Sequence, residues 1–294
     1  MEFSVGRASQ KSAARSFHVL EPAGSKWHLY SYGAIAGNFL LMMFYTTVAG
    51  WMLDYFVKFL RGEIQGCSES PEEVKTVFGA MLANSGEMTF WMVVVVLLGF
   101  GICAMGLKNG VERINKVMMV SLFVVMIILA VRSVTLPGAA EGMKFYLLPD
   151  FGRMVEAGFG EAVFAAMGQA FFTLSLGIGA LAIFGSYIGK DRSLTGESIR
   201  IAGLDTFVAL VAGMIIFPAC FAFNIPTDSG PGLVFITLPN VFEQMSGGRI
   251  WGALFFLFMS FAALSTVIAV FENLCAFGME LKHWSRKKAV LINL

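Results

Sequence analysis

The sequence predicts an all-α membrane protein with about six transmembrane helices, and two observations carry this prediction. The chain of 294 residues is 57% hydrophobic with a mean hydropathy of +0.73, and only 14% of its residues are charged. A soluble domain of this length would have about a quarter of its residues charged. Six segments are apolar and uncharged over most of their length, and about 20 such residues cross the hydrocarbon layer as a helix.

The predicted spans follow one another in a single transmembrane domain, residues 1–294. They cover approximately residues 30–56, 88–107, 117–131, 162–188, 201–223 and 250–271. The third span is short, but Lys116 and Arg132 at its ends can extend their charged groups to the membrane surface. Residues 289–294 are again apolar, and we expect another span to begin there.

The distribution of basic residues predicts the orientation of these spans. If the N-terminal segment is cytoplasmic, the cytoplasmic segments hold 14 of the 21 Lys and Arg residues and the outer loops hold 7. Cytoplasmic loops of membrane proteins carry an excess of these residues. We therefore expect a multi-pass protein of the inner (plasma) membrane whose first residues are cytoplasmic.

Several functional classes find no support in the sequence. A net charge of +1 predicts no nucleic-acid partner. No Walker, HExxH, GxSxG or CxxC pattern is present, so the sequence does not predict an enzyme. The cysteines show no paired spacing and predict neither a disulfide framework nor a metal site; they are Cys67, Cys103, Cys220 and Cys275.

The fourth span is weak in its middle. Residues 168–179 read GQAFFTLSLGIG, with Thr173 and Ser175 just before Gly177 and Gly179. Glycine destabilises a helix by about 1 kcal/mol relative to alanine, and a broken membrane helix is tolerated where its backbone lines a cavity or is buried in protein. Such breaks offer carbonyl groups to cations and helix N-termini to anions. Close packing of small residues between helices explains the same composition about equally well.

Two other spans carry polar residues. Asp205 is the one acid of the fifth span, and a charge at the bilayer centre costs at least ~2.5–3.5 kcal/mol. Either a bound cation offsets that charge, or Asp205 lies solvated near the cytoplasmic end. In the sixth span, Ala262, Ser265 and Thr266 share one helix face. Their carbonyl and hydroxyl oxygens suit a hard monovalent cation, although Ser and Thr in membrane helices also bond to their own backbone.

Taken together, these segments resemble the neurotransmitter:sodium symporter family, and most closely its bacterial amino-acid transporters. Residues 168–177 are similar to the family's unwound sixth helix, and residues 235–239, FITLP, are similar to its fourth outer loop. Residues 30–51, which include Tyr45, resemble the third helix, and residues 261–269 resemble the eighth. The resemblance implies the central portion of a five-plus-five inverted-repeat fold, from the third helix to the eighth.

The resemblance also implies a function. Because residues 2–7 look like the end of the family's second helix, we expect a fragment that lacks the first two and the last helices. The implied activity is sodium-coupled symport of an amino acid by alternating access, with sodium, the amino acid and the lipid bilayer as partners. Apolar pocket positions favour a hydrophobic L-amino acid. A proton-coupled or exchange transporter of similar fold, and a non-transporting accessory membrane subunit, remain as alternatives.

Individual residues acquire roles from the resemblance. Those implied to contact the substrate are Leu41, Tyr45, Phe172, Thr173, Ser175, Ile178, Thr266 and Val270. Those implied to bind sodium are Thr173, Asp205, Ala262, Ser265 and Thr266, and the gate residues are Phe172 and Tyr187. Ala209 stands where chloride-dependent members carry a serine, and Asp205 stands where many members carry an asparagine. We therefore expect the Asp205 carboxylate to supply a fixed negative charge in place of chloride.

Overall fold

A computed structural model of the chain describes residues 1–64, 71–106, 111–156, 158–225 and 230–294. Every regular element within these ranges is a helix, which confirms the all-α prediction. Cys67 and Leu107, the predicted end of the second span, lie outside the described residues.

The described helices range in length from 6 residues to 35 residues. In chain order they are α1 (Glu2–Ser9), α2 (Ala13–Leu20), α3 (Tyr30–Arg61), α4 (Pro71–Ala83), α5 (Ser85–Ala104), α6 (Arg113–Val134), α7 (Ala139–Leu147), α8 (Phe151–Glu156), α9 (Phe159–Thr173), α10 (Ala180–Tyr187), α11 (Leu194–Ala222), α12 (Leu238–Gln244), α13 (Gly248–Lys282) and α14 (Arg286–Asn293). A one-turn 3₁₀ helix, Trp27–Leu29, leads into α3, and a short π-helix, Leu233–Thr237, leads into α12.

Five of the described helices are long and apolar enough to cross a membrane. They are Trp27–Arg61, which joins the 3₁₀ turn to α3, and α5, α6, α11 and α13. The fourth predicted span is not one continuous helix. It consists of α9 and α10, with an interruption between them. The chain is therefore a multi-pass membrane protein with one interrupted span.

Helices α3 and α13 extend well beyond the predicted spans because their charged residues are paired. In α3, the buried Asp54 forms an ion pair with Lys58 one turn later, and Lys58 also contacts Glu87 of α5 at 2.8 Å. In α13, the fully buried Glu272 pairs with Arg286. A charge with such a partner is tolerated inside a helix bundle, so the helix need not end there.

The hydrophobic core has two parts, and both are built around α13. In one part, Phe271 of α13 stacks on Phe100 of α5 with ring centroids 3.9 Å apart. In the other, Phe256 of α13 packs against Tyr55 and Phe59 of α3, with centroids 5.0 and 5.5 Å away. The central helix of the core is thus also the helix on which Ser265 and Thr266 lie.

Helices α1 and α10 approach each other through a reciprocal pair of glycines. A Cβ atom on Gly6 would lie 1.9 Å from the carbonyl oxygen of Ala182, and one on Gly185 would lie 2.6 Å from that of Phe3. Only glycine permits backbones to pack at this distance, as in other membrane helix pairs. This packing places the first residues of α1 beside the start of α10, where the fourth predicted span is interrupted.

Candidate functional site

The interruption is a six-residue unwound segment, residues 174–179, between α9 and α10. Three of its residues have positive φ: Ser175 at 51°, Gly177 at 90° and Gly179 at 72°. Glycine adopts this conformation freely, whereas a residue with a side chain pays roughly 1–3 kcal/mol for an unusual backbone conformation. The local sequence therefore specifies the break, and Ser175 is held in it by the surrounding structure.

Glu2 of α1 holds the downstream side of this segment. Its carboxylate accepts hydrogen bonds from the backbone N–H groups of Gly177, at 2.7 Å, and Leu181, at 3.2 Å. These N–H groups belong to the unwound segment and the first turn of α10, where donors have no partner within the helix. The anionic side chain also lies favourably at a helix N-terminus.

Two side chains of α3 hold the carbonyl groups of the same segment. The Tyr30 hydroxyl donates to the Gly177 carbonyl at 2.8 Å, and the Asn38 amide donates to the Ile178 carbonyl at 2.7 Å. The fully buried Asn38 also accepts a hydrogen bond from Asn273 of α13 at 3.2 Å. The roles of Glu2, Tyr30 and Asn38 as supports of the break were not predicted from the sequence. A buried amide in an otherwise apolar span was the available signal for Asn38.

A cavity of about 500 Å³ lies beside the break, between α3, α9, α11 and α13. It brings together eight of the residues that the sequence predicts for the site: Leu41, Tyr45, Phe172, Thr173, Ser175, Ile178, Asp205 and Thr266. Gly37, Gln169, Phe171 and Leu176 complete its lining. Most of the wall is apolar, while a small number of hydroxyl and carboxylate groups converge on it, as is usual for small-molecule sites.

A second cavity of about 290 Å³ also borders the unwound segment. Ser265 and the buried Val270 line it, and four residues, Thr173, Ser175, Asp205 and Thr266, line both cavities. Ala262 and Tyr187 line neither of these two cavities.

Hydrogen bonds within the site connect the predicted cation ligands. The Thr173 hydroxyl donates to the Asp205 carboxylate at 2.9 Å, which joins the end of α9 to α11. The hydroxyls of Ser265 and Thr266 donate to the Ala262 carbonyl at 2.8 and 3.4 Å. This is the backbone-bonded geometry that the sequence left open. A hydroxyl that donates its proton keeps its lone pairs free for a cation.

Tyr187 lies away from the cavities, beside a buried ion pair. Arg286 of α14 donates to both carboxylate oxygens of Glu272, at 2.7 and 2.8 Å, and to the carbonyl of Cys103 at 3.0 Å. Hydrogen bonding to Glu272 raises the pKa of Arg286. The Tyr187 side chain faces the Glu272 carboxylate. This pair was not predicted from the sequence, because its members are 14 residues apart and lie on different helices.

Ala209, the remaining position of interest, lies one turn beyond Asp205 on α11. Its carbonyl accepts a hydrogen bond from the Tyr146 hydroxyl at 3.2 Å. Ala209 itself lines neither cavity.

A membrane helix that is interrupted beside a cavity with a few convergent polar groups, and that lies among uninterrupted spans, defines the class of protein: a secondary transporter fold. The sequence model of the sodium:neurotransmitter symporter family matches residues 72–294, so the chain belongs to that family. This is a family of transporters and not of enzymes.

Relatives of known name agree with this membership. The chain is 35% identical to the sodium-dependent transporter YhdH of Bacillus subtilis over 94% of its own length and 59% of that protein. It is 34% identical to a sodium-dependent transporter of Haemophilus influenzae, over 91% of its length and 58% of that protein. The chain is also similar to the crystal structure of MhsT in complex with L-phenylalanine. The two share 40% sequence identity and superpose with a TM-score of 0.87, over 99% of this chain and 65% of MhsT. The chain thus spans about three-fifths of these relatives.

Proposed function

We propose that the chain forms the substrate-binding core of a sodium-coupled symporter for a hydrophobic L-amino acid in the inner (plasma) membrane. The observation that carries the proposal is the cavity beside the break, where eight residues of the expected site meet. Alternating access would then open this cavity to one side of the membrane at a time. The shape of the break supports such a movement, because unwound residues can change their backbone dihedrals more readily than a continuous helix.

The cavity lining supports the choice of substrate. Leu41, Ile178 and Phe172 offer apolar surface for a side chain, and the Tyr45 hydroxyl is positioned to bind a carboxylate. MhsT, the structural neighbour, was solved with L-phenylalanine, and its similarity to this chain makes that amino acid the first substrate to test.

Two groups of oxygen atoms are the proposed sodium ligands. One group consists of the Thr173 hydroxyl and the Asp205 carboxylate, whose oxygens are 2.9 Å apart. Oxygen atoms bind such cations at about 2.3–2.6 Å, so one ion can contact both of these neighbouring oxygens. The other group is the Ala262 carbonyl with the Ser265 and Thr266 hydroxyls. Because Asp205 would bring its own negative charge to the first ion, we propose that transport is independent of chloride.

The test is uptake of radiolabelled L-phenylalanine in proteoliposomes by the full-length protein that contains this chain. Inward gradients of sodium, of potassium and of protons are compared in chloride-free medium. We expect uptake with the sodium gradient alone. Uptake with the proton gradient in the absence of sodium would favour the proton-coupled alternative, and failure to bind or transport any of the twenty amino acids would favour the accessory-subunit alternative.

A further inference from the structure

The connection between α2 and α3 contains a cluster of metal-ligating side chains that the transport site does not use. His18 lies in the last turn of α2, Glu21 directly follows this helix, and His28 lies in the 3₁₀ turn before α3. One ligand atom from each residue lies within 4.8 Å of those from the other two. We propose that these three residues form a binding site for a divalent transition-metal ion, with zinc as the first candidate.

The distances within the cluster are close to those that a metal ion requires. The Nδ1 atoms of His28 and His18 lie 2.8 and 4.0 Å from the same Glu21 oxygen, Oε1. Zinc binds His nitrogen and carboxylate oxygen at about 2.0–2.2 Å, which separates tetrahedral ligands by roughly 3.3 Å. One observed distance is shorter than this value and one is longer. Small side-chain rotations would therefore bring both imidazoles and the carboxylate around one ion.

The donor set selects the class of metal. Two imidazole nitrogens and one carboxylate suit zinc and its neighbours in the first transition row, whereas calcium and magnesium take oxygen ligands almost exclusively. Three protein ligands leave a fourth position for water. The side chain of His18 is 50% exposed, so an ion and its water can reach this position from the aqueous side.

The surroundings hold the ligands in place. The Ser25 hydroxyl and the backbone N–H of His28 both donate to the second oxygen of Glu21, Oε2, at 3.0 and 3.1 Å. Such outer contacts orient a carboxylate, while its other oxygen, Oε1, contacts Nδ1 of His28 at 2.8 Å, where the metal ion would replace the shared proton. The two imidazole rings stack with centroids 4.9 Å apart, and Phe17 packs edge-on against Tyr30 at 5.1 Å. Aromatic contacts thus connect the end of α2 to the 3₁₀ turn and to the start of α3.

A metal ion at this position would fix the connection between α2 and α3. The other end of α2 is already held, because the backbone N–H and hydroxyl of Ser12 donate to Glu280 of α13 at 3.0 and 2.8 Å. With the ion bound, α2 would be tied to α13 at one end and to α3 at the other.

The experiment measures zinc binding to the protein purified in detergent through a tag that contains no histidine. Competition with a chromophoric zinc chelator at pH 7.5 gives the stoichiometry and the affinity. We expect one equivalent of zinc to bind at or below about micromolar concentration and to raise the melting temperature. Excess magnesium or calcium should not displace it.

Three variants and one control decide the assignment. Loss of an outer-shell contact weakens metal binding about 10–100-fold, so we expect Ser25→Ala to weaken zinc binding by at least about ten-fold. His18→Ala and Glu21→Gln, which remove direct ligands, should weaken it further. The control is His283→Asn at the end of α13, where φ is 53° and asparagine is well tolerated; it removes the third histidine and should leave zinc binding unchanged.

The proposal would be overturned by the absence of saturable binding, or by zinc binding that His18→Ala leaves intact. It would also fail if His283→Asn weakened binding as much as His18→Ala does. The metal-free melting temperature of His18→Ala shows whether the variant folds. Because His18 is half exposed, we expect that temperature to equal that of the parent protein.

Discussion

Replacement of Asp205 by asparagine separates the proposed sodium-ligand role from that of a solvated surface acid. Asparagine keeps the shape of the side chain and one oxygen, and it removes only the charge. Two unit charges 4 Å apart interact by about 4 kcal/mol at an effective dielectric constant of 20. Asp205 is half-buried, so solvent screens part of this interaction. A contact to a charged partner is worth roughly 1.5–3 kcal/mol net, which corresponds to about a 10- to 150-fold change in affinity.

The assay is uptake of L-phenylalanine into proteoliposomes as a function of sodium concentration, in chloride-free medium. We expect Asp205→Asn to raise the sodium concentration for half-maximal uptake at least ten-fold. Adding Ala209→Ser, one turn further along α11, should partly restore uptake when chloride is supplied. A misfolded variant would not regain activity with an anion, so the double variant tests the mechanism directly.

A matched control lies on the same helix. Glu197 in the first turn of α11 pairs with Arg192 and Arg200 at 3.2 Å, and it lines neither cavity. Glu197→Gln removes one negative charge from α11 and should leave the sodium dependence unchanged. Normal chloride-free uptake by Asp205→Asn would refute the reasoning and return Asp205 to the role of a solvated acid.

Three further predictions concern other contacts. Ser265→Ala and Thr266→Ala should each raise the half-maximal sodium concentration about ten-fold or more, from a lost contact of roughly 1.5–3 kcal/mol; an unchanged sodium dependence would leave only their bonds to the Ala262 carbonyl. Glu2→Gln removes the negative charge of the side chain that accepts hydrogen bonds from the N–H groups of Gly177 and Leu181, and it should lower both the melting temperature and the substrate affinity. If both quantities stay unchanged, the break holds its shape without this carboxylate. Glu272→Gln should destabilise the protein by about 1–3 kcal/mol, less than the ~3–5 kcal/mol of a fully buried pair, because the Arg286 side chain is 26% exposed. Thermal unfolding in detergent checks this value, and an unchanged melting temperature would contradict it.

Local sequence indicated an interruption of the fourth span but fitted close helix packing equally well, and the resemblance to the family's unwound sixth helix favoured the interruption. Helix-breaking glycines and the hydroxyl residues before them are neighbours in sequence, and Gly177 and Gly179 both have the positive φ that favours glycine. The helix ends were harder to predict. The sixth predicted span ends just before the charged Glu272, whereas α13 continues past this residue because Arg286 of α14 neutralises its charge.

Side chains that support the break from a distance could not be predicted from spacing alone. Glu2 contacts a backbone group 175 residues away, and Asn38 contacts one 140 residues away. No local pattern encodes such a pairing, since it exists only after α1, α3 and α10 have packed. The candidate sodium ligands at positions 262, 265 and 266, by contrast, could be predicted from the sequence, because their spacing alone places them on one helix face.

The two cavities share four wall residues, and this arrangement bears on how sodium and substrate would be coupled. Thr173, Ser175, Asp205 and Thr266 face both cavities, so an ion that orders these side chains also shapes the larger cavity. Thermodynamic linkage then requires the amino acid to raise sodium affinity by the same factor by which sodium raises amino-acid affinity. Substitution of Thr266 should therefore change this coupling factor. Leu41→Ala, which alters the wall of the larger cavity alone, should weaken amino-acid binding and leave sodium binding in the absence of substrate unchanged. Equilibrium binding of each ligand with and without the other measures both effects, and a sodium affinity that falls in Leu41→Ala would show that the two cavities are not separable in this way.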